Sequence, residues 1–326
     1  MILICKIYNE NNKSYEEVID WLIYNNVQFD FFSGEDFYEE GNNWSIELDN
    51  SLVDSSNTSK EYRSVWFQGF LKHKTQLLSI FEDVDCAKVN LVELRWCLSQ
   101  EIGKINKQIF NNFKDAYQLP NPQSTKIDKF ANLRLATKIG LEIPNSLLTN
   151  SKEELLSFIK KHKEVITKPL YEVIRFNEKD HIVHFLTEKV KQEQLQELPV
   201  TFFPSLFQAY IEKEIEIRVF YLEKRFYSMA MFSQLDSQTE TDFRNYNNEN
   251  PNRRVPYLLP KEIEEKITKL MIELNLNTGS IDLIKTHDKK YVFLEVNPTG
   301  QFGFTSKPCN YYLEDEIAKT LIENDK

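Results

Sequence analysis

Glycine is scarce in this sequence, with 8 glycines among 326 residues and none between Gly140 and Gly279. Glycine-rich phosphate-binding loops need glycine where backbone amides close on a phosphate, so the middle of the chain contains neither a P-loop nor a GxGxxG turn. Cysteine is rarer still, and the chain has Cys5, Cys86, Cys97 and Cys309. Their spacing matches no zinc motif, and we interpret them as free thiols of a reducing compartment.

Positive charge and long apolar runs are also lacking. The formal net charge is −10, which argues against a general nucleic-acid binder, because such proteins need a basic surface. No stretch approaches the ~18 apolar residues of a membrane span. The opening segment MILICKIYNE is too short and too polar to be a signal peptide. We therefore expect a soluble cytoplasmic protein that binds neither membrane nor nucleic acid.

The composition and element pattern indicate an α/β fold. The chain is 41% hydrophobic and 28% charged, enough to bury a sizeable core over two domains or one elaborated domain. Strands alternate with helices over the first ~120 residues, which favours a mostly parallel, covered sheet. The proline-containing segment 119–126 is the best domain boundary, and antiparallel hairpins are expected from Phe202 onward.

The strongest chemical signal is a set of oxygen-bearing side chains near the C-terminus: Asp282, Glu295 and Asn297. Their strands, SIDLI and YVFLEVN, are joined by the polar turn THDK and should pair as a hairpin. A loop with an even number of residues places all three side chains on one face. The opposite face should carry Val292, Leu294 and Val296. Such a set suits Mg²⁺ bound to nucleotide phosphates, and a solvated hairpin face is the alternative.

Several cationic residues have a possible role beside an anion. Lys168 ends a strand before Pro169, and Lys129 lies in the first turn of a helix, so that each either reaches a phosphate or is an ordinary surface lysine. Arg218 shares a strand face with glutamates 212, 214 and 216, which is either a solvent face or a cleft wall. Arg244 lies in a polar loop over residues 237–256 with Arg253 and Arg254, either an active-site cover or a flexible excursion.

The order of these features resembles the ATP-grasp superfamily, and within it the peptide maturases that make graspetides, the microviridin-type ω-ester and ω-amide peptides. The matching segments are KFANLRLATKIGLEIPNSLLTN (129–150), TKP (167–169), SLFQAYIEKEIEIRVFYL (205–222), FSQ (232–234), TDFR (241–244), LLP (258–260) and GSIDLIKTHDKKYVFLEVNPTGQFGF (279–304), with VIDWL (18–22) and SVWF (64–67) nearer the start. They span nearly the whole chain. The C-terminal segment SKPCNYYLEDEIAKTLI resembles the grasp-with-SPASM subtype.

The resemblance implies an architecture and a set of roles. A Rossmann-like pre-ATP-grasp domain (1–120) would precede an ATP-grasp module with subdomains at 121–203 and 204–326. Asp282, Glu295 and Asn297 would hold two Mg²⁺ ions that bridge the ATP phosphates. Lys129 and Lys168 would contact the phosphates. The backbone of Gln208, Ala209, Tyr210 and Ile211 would recognise adenine. Arg218 and Arg244 would face the transferring phosphate and the substrate carboxylate.

The implied activity is ATP-dependent ligation within a ribosomal precursor peptide that has a leader and an acidic core. Asp or Glu side chains would be activated as acyl phosphates and joined to Thr or Ser hydroxyls, or to Lys amines, by a homodimeric enzyme. The alternatives are a ligase for a free amino acid and a non-catalytic ATP-binding regulator. One departure stands out: residues 170–186, where many ATP-grasp proteins have a glycine-rich phosphate loop, contain no glycine. No residue, including the 5 histidines, stands out as a general base.

Overall fold

The computed structural model describes residues 1–6, 13–34, 44–46, 52–54, 61–69, 90–126, 128–170, 175–178, 181–184, 187–235 and 251–326. These residues form two compact units. The first contains Met1–Lys126, Asn275–Gly279 and Pro298–Lys326, and the second contains Ile127–Leu274 and Ser280–Asn297. The finer division into three domains with boundaries after residues 120 and 203 stays a prediction.

A four-stranded parallel sheet forms the centre of the first unit. Its strands are β1 (Ile2–Cys5), β2 (Phe29–Phe32), β5 (Ser64–Phe67) and β6 (Tyr117–Leu119), in the order β2-β1-β5-β6. The neighbouring strands all pair in parallel, as the alternation of strands and helices predicts. Every residue of β1 is buried, because a parallel strand covered on both faces is apolar throughout.

The other described elements of the first unit are four α-helices, a 3₁₀ turn at Pro122–Ser124 and a short hairpin. The helices are α1 (Lys13–Tyr24), α2 (Leu91–Asn111), α7 (Gly303–Cys309) and α8 (Leu313–Glu323), and the hairpin pairs β3 (Trp44–Ile46) with β4 (Leu52–Asp54). Tyr15 of α1 stacks on Trp66 of β5, with ring centroids 4.9 Å apart. In the described part of the chain, each helix is too short or too polar to cross a membrane.

Three of the cysteines fall within the described residues, and all three are free thiols, as predicted: Cys5, Cys97 and Cys309. Complete burial raises the pKa of the Cys5 thiol far above its ordinary value, because a thiolate there would lose its hydration. Cys5 is therefore an inert core residue. Cys86 lies outside the described residues.

Among its described residues, the second unit contains a four-stranded sheet and a five-stranded sheet in addition to a two-stranded hairpin. The smaller one has the order β11-β8-β12-β7 and consists of β7 (Ser146–Ser151), β8 (Val165–Lys168), β11 (Glu188–Lys189) and β12 (Thr201–Ala209). The larger one has the order β15-β14-β13-β16-β17 and consists of β13 (Lys213–Leu222), β14 (Arg225–Met231), β15 (Arg254–Tyr257), β16 (Thr278–Thr286) and β17 (Tyr291–Asn297). Only residues 210–212 separate β12 from β13.

Helices accompany both sheets of the second unit: α3 (Lys129–Ile139), α4 (Lys152–His162), α5 (Gln192–Glu197) and α6 (Lys261–Glu273). A separate hairpin pairs β9 (Arg175–Glu178) with β10 (His181–His184). Both ends of helix α3 are capped: the Asp128 side chain accepts hydrogen bonds from the backbone N–H groups of Phe130 and Ala131, and Gly140 adopts the left-handed conformation with φ of 90°. This capping orients Lys129, the first residue of the helix.

Candidate functional site

The hairpin of β16 and β17 places the predicted oxygen ligands on one face. Asp282 lies directly opposite Glu295, and Ser280 lies opposite Asn297. Glu295 and Asn297 are two residues apart on their strand, so their side chains project to the same side as that of Asp282. The sequence therefore predicted this arrangement correctly.

The loop that joins the two strands was nevertheless predicted wrongly, since it does not have an even number of residues. Thr286 and Lys290 are hydrogen-bonded across the turn, so the loop between them contains residues 287–289, an odd number. The register shifts between the Asp282–Glu295 pair and the Leu283–Phe293 pair, which leaves Leu294 as an extra residue in a β-bulge. Because of the bulge, Asp282, Glu295 and Asn297 still share one face, as a loop with an even number of residues was expected to ensure. It also makes Leu294 line a cleft beside Glu295 rather than pack on the opposite face.

This cleft is formed by residues from both sheets of the second unit and encloses about 760 Å³, open solvent included. Its predicted site residues are Lys168, Gln208, Ala209, Tyr210, Ile211, Asp282 and Glu295. Apolar side chains such as Ile166, Ile217 and Met231 complete the wall. Asn297 is exposed at the end of β17, on the same face as Glu295.

Each of the two carboxylates has a cation nearby. The Lys129 ammonium lies 3.8 Å from Glu295 Oε2, and Arg218 Nε lies 3.8 Å from Asp282 Oδ1. Lys129 also donates to the Pro169 carbonyl at 3.5 Å, which brings it next to the strand end that carries Lys168. The structure thus gathers two lysines, an arginine and two carboxylates that are distant in sequence.

The predicted hinge segment passes from one sheet to the other along the cleft. The Ala209 amide donates to the Asn145 carbonyl and the Tyr210 amide donates to the Glu164 carbonyl, both at 2.9 Å. The Lys189 ammonium lies 3.8 Å from the centre of the Tyr210 ring, a cation–π contact. The segment is held by its neighbours up to Tyr210, and Ile211 follows between the two sheets.

The glutamates of β13 have different environments, which the sequence pattern did not separate. Glu216 is buried and bonds to the buried ammonium of Lys213, and it accepts a hydrogen bond from Ser233 Oγ at 3.0 Å. Glu214 is paired at the surface, and its hydrogen bond from Lys289 holds the pKa of its carboxyl below the ordinary value. Lys213 and Glu216 both line the cleft.

Lys213 is therefore a site residue that sequence analysis missed. Period-two alternation in IEKEIEIR places Lys213 on the face of Ile215 and Ile217, opposite Glu214, and a lysine on an apolar strand face is the signal that could have found it. The predicted loop over residues 237–256 is too long at its end, because a strand begins at Arg254, and residues 236–250, with Arg244, lie outside the described residues. Of the arginines predicted to lie beside it, Arg254 belongs to β15 and Arg253 lies 5.7 Å from the Phe232 ring centre.

The residues of the cleft fit a nucleotide and Mg²⁺. No group of three or more His, Cys, Asp or Glu side chains gathers within the described ranges, so a purely carboxylate metal cage is absent there. Two carboxylates and an amide oxygen are instead the incomplete oxygen set that Mg²⁺ accepts when phosphates and waters supply its other ligands. The adjacent lysines provide positive charge for those phosphates.

Comparisons with known families and solved structures identify the class of this chain. The chain belongs to the RimK-like ATP-grasp family, whose domain matches residues 126–323. It is thus an enzyme of the ATP-grasp ligase class. The predicted relationship to the ATP-grasp peptide maturases is confirmed. None of the curated protein sequences matches the chain significantly.

Solved structures of similar fold include peptide-modifying ligases. One is a RiPP-associated ATP-grasp ligase from Chryseobacterium gregarium, in complex with ADP and a leader and core peptide. It is 25% identical to this chain with a TM-score of 0.79, and the match covers 100% of this chain and 98% of that one. The macrocyclase MdnC from Microcystis aeruginosa, bound with the precursor peptide MdnA, is 23% identical with a TM-score of 0.76, over 99% of each chain. The ligase PsnB, complexed with a minimal precursor, Mg and ADP, shares the fold at 15% identity and a TM-score of 0.78, over 100% of this chain and 97% of that one.

Proposed function

We propose that this protein is an ATP-dependent carboxylate ligase that forms rings within a ribosomally made precursor peptide. The observation that carries the proposal is the likeness, over the full length of both chains, to a ligase that binds ADP together with a leader and a core peptide. The cleft supports it, because Asp282 and Glu295 face the cavity together with Lys168, next to the strand end that Lys129 contacts.

In the proposed reaction, a side-chain carboxylate of the peptide attacks the γ-phosphorus of ATP. The bond from that phosphorus to the bridging oxygen breaks, ADP leaves, and an acyl phosphate forms. A Thr or Ser hydroxyl, or a Lys amine, of the same peptide then attacks the acyl carbon, loses its proton and displaces phosphate. The product is a ring closed by an ester or an amide.

The protein contributes positioning and charge neutralisation to these steps. Asp282, Glu295 and Asn297 would hold Mg²⁺, which when bound offsets the negative charge of the phosphates; the resemblance implies two ions. Lys129 and Lys168 would contact the same phosphates. The backbone of Gln208–Ile211 would hold the adenine. Arg218, beside Asp282, would face the transferring phosphate, and Arg244 would bind the peptide carboxylate.

The direct test is mass spectrometry of a candidate precursor peptide after incubation with the purified protein, ATP and Mg²⁺. The candidate is a short reading frame beside the gene, with repeated Thr or Ser and Glu or Asp near its C-terminus. Each ring should reduce the peptide mass by one water, with one ADP formed per ring. Phosphate release that requires a free amino acid would favour the first alternative, and nucleotide binding without turnover on the true peptide would favour a regulator.

The leader of the peptide is expected to supply most of its affinity. The 13% aromatic content of this acidic chain would allow an apolar groove for an amphipathic leader helix. Removing the leader should weaken peptide binding by roughly 100-fold, which corresponds to about 2.8 kcal/mol. Titration of the protein with full-length and leaderless peptide measures this difference. Equal affinities would exclude a leader-binding role.

The two arginines are expected to respond differently to replacement by lysine. A lysine cannot reproduce the two parallel hydrogen bonds of a guanidinium with a carboxylate or phosphate. Arg218→Lys should reduce kcat roughly tenfold with both substrates saturating, and Arg244→Lys should raise the peptide KM roughly tenfold with the ATP KM unchanged. Steady-state kinetics separate the two cases.

Salt gives a second readout for Arg244. A net charge of −10 repels an acidic core peptide unless local cations oppose it. Salt screens the attraction between those local cations and the core peptide, so peptide affinity should fall as the Debye length shortens below ~10 Å. A wild-type peptide KM in Arg244→Ala would mean that the loop takes no part in substrate selection.

Four finer expectations complete the proposal. The enzyme would act in the cytoplasm as a homodimer, would bind two Mg²⁺ ions, and would belong to the grasp-with-SPASM subtype. Light scattering of the purified protein tests the dimer, and the presence of a radical-enzyme gene beside this one tests the subtype.

A further inference from the structure

A buried serine lies beside the predicted oxygen ligands of the hairpin of β16 and β17. Ser280 is 1% exposed, and its Oγ has no hydrogen-bond partner among the described residues. By contrast, the hydroxyl of Ser233, which is also buried, donates to Glu216 at 3.0 Å. A buried hydroxyl that bonds to nothing costs free energy, so its presence at Ser280 calls for a partner that the bound state of the site supplies.

The strand pairing places this hydroxyl next to Asn297. Ser280 of β16 lies directly opposite Asn297 of β17, two residues along each strand from the pair of Asp282 and Glu295. Directly opposed residues of an antiparallel pair project to the same face, with Cβ atoms about 4.5–5.5 Å apart. The Ser280 side chain is thus within reach of the Asn297 amide, on the face that carries the two carboxylates.

The asparagine differs chemically from its two carboxylate neighbours. Its amide has one oxygen that can bind a cation and one NH₂ group that only donates, whereas either oxygen of Asp282 or Glu295 can bind. If the Asn297 amide were turned over, its NH₂ group would face the metal and the side chain could not be a ligand. A neighbouring hydroxyl oxygen that accepts from the NH₂ group fixes the amide in the productive orientation.

We infer that Ser280 is a positioning residue for Asn297: its Oγ accepts a hydrogen bond from Asn297 Nδ2 and thereby directs Oδ1 toward Mg²⁺. This role rests on the proposed function, which makes Asn297 a ligand of Mg²⁺. It adds a fourth residue to the three oxygen-bearing side chains of the hairpin, and it explains why a hydroxyl is buried on their face. The serine acts through Asn297 and does not itself contact the metal.

The test is titration of the whole protein with Mn²⁺ in place of Mg²⁺, with ADP present and the protein in excess over ADP. Mn²⁺ accepts the same oxygen ligands, and its electron paramagnetic resonance signal measures the free ion. Ser280→Ala should bind Mn²⁺ about tenfold more weakly than the wild type, the effect of losing a residue that orients a metal ligand. The affinity for ADP without metal should stay within about twofold, because the serine acts only on the metal site.

Further variants separate this role from packing. Ser280→Cys fills the same space with a weak acceptor, so it should also lose about tenfold in Mn²⁺ affinity. Asn297→Ala removes the amide that the serine positions, and adding Ser280→Ala to it should cost less than about twofold more. Ser64→Ala is the matched control, because Ser64 of β5 is also buried and its Oγ has no partner within the described part of the chain. It should bind Mn²⁺ as the wild type does.

The outcomes separate the inference from the proposed function. If the wild type binds Mn²⁺ with ADP and Ser280→Ala binds it equally well, the serine positions no ligand and the inference is wrong, while the metal site stands. Wild-type affinity in Ser280→Cys would assign the loss in Ser280→Ala to packing and would overturn the role as well. A further tenfold loss on adding Ser280→Ala to Asn297→Ala would contradict an action through Asn297. If the wild type binds no Mn²⁺ in the presence of ADP, the proposed function fails together with the inference.

Discussion

Peptide-dependent ADP formation should fall roughly 100-fold or more in Glu295→Gln, with the fold intact. Glutamine has almost the same shape as glutamate and no charge. The substitution would remove a carboxylate from the face that Glu295 shares with Asp282, and also the charge that lies 3.8 Å from the Lys129 ammonium. Without that charge, the oxygen set would hold Mg²⁺ and the phosphates less firmly as charge shifts during transfer.

Steady-state turnover at saturating Mg²⁺ measures this effect, and circular dichroism confirms the fold. Glu265→Gln, an exposed carboxylate on α6 of the same unit, is the matched control and should retain full activity. Turnover of Glu295→Gln within a few-fold of the wild type would show that Glu295 is not a metal ligand, and would return the hairpin to its alternative reading as a solvated face.

The second large effect concerns stability. Replacing Glu216 with leucine should lower the free energy of unfolding by about 3–5 kcal/mol, because it leaves the buried Lys213 ammonium without its carboxylate. The two side chains are 3% and 8% exposed, so water cannot substitute for the missing partner. Replacing both residues, as Lys213→Met with Glu216→Leu, should recover most of that loss, since no buried charge then remains.

The wild type, Lys213→Met, Glu216→Leu and the double variant form a double-mutant cycle for the pair, and denaturant unfolding measures the stability of each. Glu214→Leu is the control on the same strand: its carboxylate is 32% exposed and its partner Lys289 is 65% exposed, and exposed ion pairs contribute about 0–1 kcal/mol. A loss for Glu216→Leu as small as that of Glu214→Leu would mean that the pair is hydrated. A double variant as unstable as Glu216→Leu alone would mean that packing, and not the charge, sets the cost.

Local features were predictable because neighbouring residues determine them. The capped ends of α3 at Asp128 and Gly140 follow from side-chain and backbone preferences within one turn of helix. The continuous apolar strand β1 follows from burial on both faces of a parallel sheet. The order of short motifs along the chain was enough to indicate the family, since family relationship is a property of the sequence itself.

The hairpin of Asp282 and Glu295 was predicted with the right face and the wrong cause. A four-residue turn and a three-residue turn are both compatible with the segment THDK, and the difference between them reverses the side of every later residue. The bulge at Leu294 reverses it again. Sequence periodicity does not reveal a bulge, because the extra residue depends on how the strand packs against its partners.

The amino-acid sequence by itself indicated the family, the end of α3 at Gly140 and the strand face shared by Asp282, Glu295 and Asn297. The tertiary structure decided which polar residues are buried together. Glu216 accepts a hydrogen bond from Ser233 17 positions away, Lys129 reaches the Pro169 carbonyl 40 positions away, and Ser146 contacts Gln208 across 62 positions. The physical reason is that burial and hydrogen-bond partners arise from contacts between distant segments, and a strand that alternates charged and apolar residues looks the same whether its polar face meets water or a cleft.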